Sequence, residues 1–168
     1  MAEAGFVQGF AFRERFVVVA LLEPLGVGTT ISRKTWPPHV TLASNFDVEV
    51  TAYDLALAVR RAGALDEPIV VQFVGSELFG PNRDVPVRLV QSEQVSALHH
   101  RLADQFEPMA GFVAEEPAYW RDGYRPHLTL TPVISIEDGG SRILRCVAVA
   151  RLLEDDATVV AAFRLPGH

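Results

Sequence analysis

Apolar positions along this chain switch between two spacings, and the switches divide it into elements. Residues 15–22 (RFVVVALL) are continuously apolar and β-branched, and Glu23-Pro24 closes the run, which is the pattern of a buried strand. After a loop over 26–35, residues 39–46 alternate, with His39, Thr41 and Ala43 on one face and Val40, Leu42 and Ser44 on the other. Thr51 is placed to cap a helix running to Arg61, with Leu55, Ala56 and Val59 facing inward and Gly63 just past its end. Residues 68–79 read as a strand bent at Gly75, and residues 85–90 as its partner across the turn 80–84. Val95, Leu98, Leu102 and Phe106 recur at helical spacing in a segment that starts at Ser92 and runs to about Met109. Strands over 127–133, 143–153 and 158–165 complete the order, the last two joined as a hairpin through Glu154-Asp155-Asp156. Strands and helices interleave and the turns are tight, which predicts an α+β fold with mainly antiparallel pairing.

One phrase occurs twice within this pattern: Pro38-His39-Val40-Thr41-Leu42 and Pro126-His127-Leu128-Thr129-Leu130. Each copy has an aromatic residue three positions before its histidine, Trp36 and Tyr124. With five histidines and eight threonines in 168 residues, about 0.2 His-x-Thr matches are expected by chance. The copies lie 88 residues apart, close to half the chain, and similar elements flank each. That spacing predicts two related lobes facing each other across a cleft, one His-x-Thr from each. Beyond the motifs there is no repeat in the sequence itself.

Length and composition fit one soluble bilobal domain over 15–168 preceded by a short tail over 1–14. The start lacks the apolar run of a signal peptide, and no stretch reaches the length of a membrane span, so we expect a cytoplasmic monomer. Cys146, the one cysteine, lies in an apolar run and reads as a buried hydrophobe. A net charge of −6 argues against a surface that holds long nucleic acid by counterion release, but leaves room for a basic pocket that takes one phosphate.

Two histidines can divide the proton transfers of phosphodiester cleavage, one taking a proton from the attacking oxygen and one giving a proton to the departing oxygen. Thr41 and Thr129 would then donate to the non-bridging phosphate oxygens. The proline before each histidine favours extended backbone at Pro37 and Arg125 and fixes the approach to the strand. Two other readings stand beside this one: strand histidines satisfied by their neighbours, and a metal site. Neither phrase supplies a second ligand at the usual spacing, so no metal or other cofactor is expected. His99-His100 reads as a helix surface with one partly packed ring, and His168 as a mobile end. Trp36 and Tyr124 either stack on a base or sugar or brace the motif strands. Phe79 and Arg83 are placed for a cleft rim, and Arg125 for a phosphate or ribose contact; Arg33, Lys34 and Arg121 are further candidates.

The paired H-x-T-L phrases resemble the 2H phosphoesterase superfamily, which includes the RNA 2′,3′-cyclic phosphodiesterases formerly named 2′-5′ RNA ligases, over most of the chain from Arg15 to Leu165. The resemblance implies a bilobal α+β fold, with two pseudo-symmetric antiparallel lobes, outer helices and a central cleft. It implies catalysis without metal, with His39 and His127 as the catalytic pair and Thr41 and Thr129 as the phosphate-binding hydroxyls. The substrate implied is a 2′,3′-cyclic phosphate on an RNA end or a small nucleotide. The alternatives are 2′-5′ RNA ligation or cleavage, and a binding module that recognises the phosphate without turnover. The segment 134–142 and the loop 26–35 are shorter than in larger members, and such loops grip the substrate.

Overall fold

The computed structural model describes residues 12–63 and 65–167. The tail read over 1–14 falls largely, and His168 wholly, outside the described residues. In chain order the elements are β1 (Glu14–Leu21), β2 (Thr30–Ser32), β3 (His39–Val48), α1 (Ala52–Ala62), β4 (Val70–Phe79), β5 (Val85–Gln91), α2 (Glu93–Phe106), β6 (Val113–Ala114), β7 (His127–Thr129), β8 (Ser141–Ile143), β9 (Cys146–Leu152) and β10 (Asp156–Arg164). Two 3₁₀ turns, Pro117–Tyr119 and Arg121–Gly123, precede β7.

The strands form one curled antiparallel sheet in the order β2-β10-β9-β1-β3-β7-β5-β4-β8, with β6 paired to the far end of β3. The two lobes expected from the spacing are therefore halves of a single sheet. Their seam is the β3–β7 pair, which is held at one register position, Val40 opposite Leu128. These are the middle residues of the two His-x-Thr phrases. On the opposite side of the curl, residues 144 and 145 tie the halves together again: Leu144 N–H donates to Ile69 O and Arg145 N–H to Leu21 O. This crossing divides the strand expected over 143–153 into β8 and β9.

Both helices pack on one face. Leu55, Val59, Leu98, Leu102 and Phe106 join Phe16, Val18, Ala20, Val40, Leu42 and Leu128 in the main core, all fully buried. Phe46 anchors it, stacked on Phe106 at 4.8 Å and meeting Trp120 edge-on at 5.8 Å. Thr51 and Asp54 close α1 with a reciprocal capping box, an arrangement that stabilises a helix start by about 1 kcal/mol. Gly63 ends the helix with φ 81°, a conformation costly for a side chain. α2 starts from Ser92 as expected but stops at Phe106, short of Met109 and two residues before Pro108. On the other face of the first half-sheet, Val17, Val19, Leu21, Cys146, Ala148 and Val159 form a second core, roofed by Leu25, by Ile31 of β2 and by Trp36. Cys146 is buried there as read.

The simple alternation expected along β3 is broken. Val18 pairs with Ala43 and Val19 with Thr41, so Leu42 is the extra residue of a β-bulge, and Leu42 and Ala43 are both buried in succession. Ala43 thus leaves the face it was assigned to share with His39 and Thr41. β7 is also shorter than expected, because Thr131-Pro132-Val133-Ile134 turns back on itself through a Thr131–Ile134 bridge.

Candidate active site

His39 pairs with Leu21 and Thr41 with Val19, which places both side chains on the face away from the helices. Thr129 pairs with Val87 and His127 with Leu89 in the other half. Since Val40 faces Leu128, antiparallel register sets His39 alongside Thr129 and Thr41 alongside His127. The four groups form a quartet around the seam, each partly exposed while the residues between them are fully buried.

The two imidazoles are seated in the same way. His39 Nδ1 lies 2.8 Å from Pro37 O, and His127 Nδ1 lies 2.8 Å from Arg125 O. A carbonyl can only accept, so each Nδ1 carries the proton and each Nε2 is left free for chemistry. The acceptor is two residues back in both cases, across the motif proline, which has no N–H of its own to compete. Burial pushes His39 below the ordinary histidine value; the Pro37 carbonyl opposes the shift and charge on His127 adds to it. Burial does the same to His127, with Arg125 O opposing and the Arg125 guanidinium adding.

An aromatic ring stands against each imidazole: Trp36 on His39 at 5.0 Å, and Phe79 on His127 at 4.6 Å, edge-on. Phe79 comes from the end of β4, brought over by β5, which lies between β4 and β7. Tyr124, the residue matched to Trp36 by position, takes a different place. Its ring stacks on His99 at 3.9 Å and 7°, and its hydroxyl donates to Thr41 O at 2.7 Å.

A cleft of about 750 Å³ opens beside the quartet, lined among others by Thr41, Ser44, Asn45, Phe79, Arg83, Tyr119, Tyr124, Arg125 and His127. His39 and Thr129 sit one step further along the seam, and Trp36 packs in the second core beside them. Arg125 is paired with Glu77 and its guanidinium lies 5.1 Å from the Phe79 ring centre. Glu115, also on the wall, is paired with Arg15 at 2.6 Å. The lining thus holds three carboxylates, Glu77, Glu115 and Glu116, against two guanidinium groups, Arg83 and Arg125. Arg121, by contrast, is spent on Asp104 of α2 and Glu107 just past its end, and Arg33 on the Leu153 carbonyl. Neither they nor Lys34 line this cleft. Among the described residues no three His, Cys, Asp or Glu side chains cluster as metal ligands would.

His99 corrects the reading of a helix surface. It is fully buried, with Nδ1 2.7 Å from Leu42 O and Nε2 accepting from Arg121 N–H at 2.9 Å. Those partners require the neutral Nδ1–H form, and burial lowers its proton affinity accordingly. The signal was present: position 99 lies four after Val95 and three before Leu102, on the apolar stripe of α2. Gly123 also went unread. A Cβ there would come 1.9 Å from Ala118 O, so only glycine lets the two 3₁₀ turns close under Tyr124.

The model of the 2′-5′ RNA ligase superfamily matches residues 26–137, two thirds of the chain, including both motifs. The chain belongs to that superfamily. The fold is shared with solved structures. Over 93% of this chain and 100% of the other, Escherichia coli LigT in complex with 3′-AMP is 16% identical with a TM-score of 0.54. TT0787 of Thermus thermophilus is 20% identical over 91% of this chain and 98% of its own, with a TM-score of 0.56. A structure described only as a phosphoesterase gives 16% identity and 0.56 over 93% and 100%. No curated protein sequence matches the chain. Among the described residues no helix of this 2H phosphoesterase superfamily member is long and apolar enough to cross a membrane.

Proposed function

We propose that this protein is a metal-independent phosphodiesterase that opens a 2′,3′-cyclic phosphate to a monoester. The observation that carries the reading is the matched seating of His39 and His127, each with Nδ1 on the carbonyl two residues back and Nε2 free, on either side of a seam flanked by Thr41 and Thr129. In the reaction, His39 Nε2 takes a proton from water as the water oxygen bonds to phosphorus. The bond from phosphorus to one ribose oxygen breaks, and His127 Nε2–H protonates that oxygen. The threonine hydroxyls donate to the non-bridging oxygens as charge builds on them. Roles are assigned in this order because His127 lines the open cleft whereas His39 sits beside the second core, where a charged imidazole is the more disfavoured.

A cleft wall with no excess of cations favours a substrate with one phosphate, either a small cyclic nucleotide or the terminal nucleotide of an RNA, over a grip on several backbone phosphates. That E. coli LigT was crystallised with 3′-AMP is in keeping with a nucleotide ligand. The deciding experiment is hydrolysis of the four nucleoside 2′,3′-cyclic phosphates with and without EDTA. Turnover of at least one, unchanged by EDTA, is expected. Tight binding without turnover would mark a binding module, and loss of activity in EDTA would sink the metal-free mechanism. A 2′-5′-linked dinucleotide in the same assay separates the ligase-like reading.

A further inference from the structure

We infer that Tyr124 is a positioning residue for Thr41, so that the loop leading into the second motif sets the aim of the hydroxyl in the first. The inference rests on the reading above, that Thr41 contacts the phosphate. The reason lies in how β3 is left unpaired. After the single Val40–Leu128 pair, β7 departs, and β6 does not meet β3 until Phe46. Within that gap Asn45 O accepts from Glu115 N–H, but the Thr41 and Leu42 carbonyls have no strand partner on that side, and a buried carbonyl must find a donor. Two side chains complete the ladder. Tyr124 Oη donates to Thr41 O at 2.7 Å, and His99 Nδ1 donates to Leu42 O, the bulged residue, at 2.7 Å. The rings making these two bonds are themselves stacked, 3.9 Å apart and nearly parallel.

The support runs deeper than one bond. His99 cannot turn, because its second nitrogen accepts from Arg121 N–H, and Arg121 holds a positive φ of 60° while its guanidinium grips Asp104 of α2 and Glu107 just past its end. Trp120 packs on His99 at 5.5 Å from the other direction. A bulge loosens a strand, and this one falls directly after Thr41. Without the clamp the peptide that carries the Thr41 side chain is free to tilt. Burial holds the Tyr124 phenol neutral, so its hydroxyl remains a donor through the working range.

Tyr124→Phe keeps the stack and removes only the donor. We expect kcat on a nucleoside 2′,3′-cyclic phosphate to fall about 10-fold with KM within about twofold, since a misplacement of an ångström or less carries costs of this order. The fold, checked by circular dichroism and a melting curve, is expected to hold. In a Thr41→Ala background the same substitution should cost less than about twofold, whereas in a Thr129→Ala background it should keep its full cost. Wild-type kcat in Tyr124→Phe, a change confined to KM, or an undiminished loss in the Thr41→Ala background would overturn the inference. Wild-type activity in Thr41→Ala alone would instead remove the catalytic reading on which the inference stands.

Discussion

His39 and His127 hold the same pose in unlike settings. His39 opens a ten-residue strand between β1 and β7, beside the second core, and its ring rests on Trp36 from the adjoining loop. His127 opens a strand of three residues, and its ring rests on Phe79, an aromatic from a hairpin 48 residues away that also lines the open cleft. The seating of the two imidazoles is matched, while the parts that hold them are not. One half supplies a rigid seat, and the other supplies the wall against which a substrate can lie. What the repeat in the sequence encodes is the shared pose; the difference in support comes from tertiary structure.

The strongest way to break the comparison is to remove each imidazole in turn. His39→Ala and His127→Ala should each lower turnover of a cyclic nucleotide about 10²- to 10⁴-fold, with melting temperature little changed. If one variant kept near-wild-type activity, the two sites would not form a catalytic pair. Next in size, Thr41→Ala and Thr129→Ala should each cost on the order of 10²-fold, the scale for one lost donor to a developing oxyanion. A large effect at only one threonine would show that the phosphate sits off the seam.

The aromatic pair should separate where the histidines agree. Phe79→Leu is expected to raise KM several-fold with stability little changed, because its ring forms part of the cleft. Trp36→Leu is expected to lower stability by about 1–2 kcal/mol, because its ring roofs the second core, with a smaller effect on KM. Steady-state kinetics together with chemical denaturation measure both. The reverse outcome would place the substrate on the Trp36 side.

The motif pair was legible in sequence because a strand shows its two faces at every second residue, and His-x-Thr occupies one face twice. The helices were legible from Thr51, Ser92 and their apolar stripes. The partner of His127 was not. Spacing by analogy pointed to Tyr124, three residues back as Trp36 is, but Phe79 reaches His127 only through the order β4-β5-β7, which no local pattern records. The bulge at Leu42 was hidden because Ala43 is small and apolar enough for either face. β2 and β6, of three and two residues, are too short to show a period.

The smallest expected effect sharpens the assignment of acid and base. The pH profile of kcat/KM reports the groups of the free enzyme. His39 as base must be neutral, so activity falls as pH drops through its value; His127 as acid must be protonated, so activity falls as pH rises through its value. Both lie below the ordinary 6.5, which puts the optimum on the acid side of neutrality. The two limbs answer to different neighbours. Arg125 lowers His127 but does not act on His39, so Arg125→Gln should move the alkaline limb to higher pH and leave the acid limb in place. Freeing the Glu77 carboxylate from its partner acts in the same direction. Trp36, which carries no charge but helps bury His39, offers the contrast: Trp36→Leu should raise His39 towards the ordinary value, moving the acid limb to higher pH and leaving the alkaline limb in place. Movement of the acid limb in Arg125→Gln would exchange the roles, making His127 the base and His39 the acid.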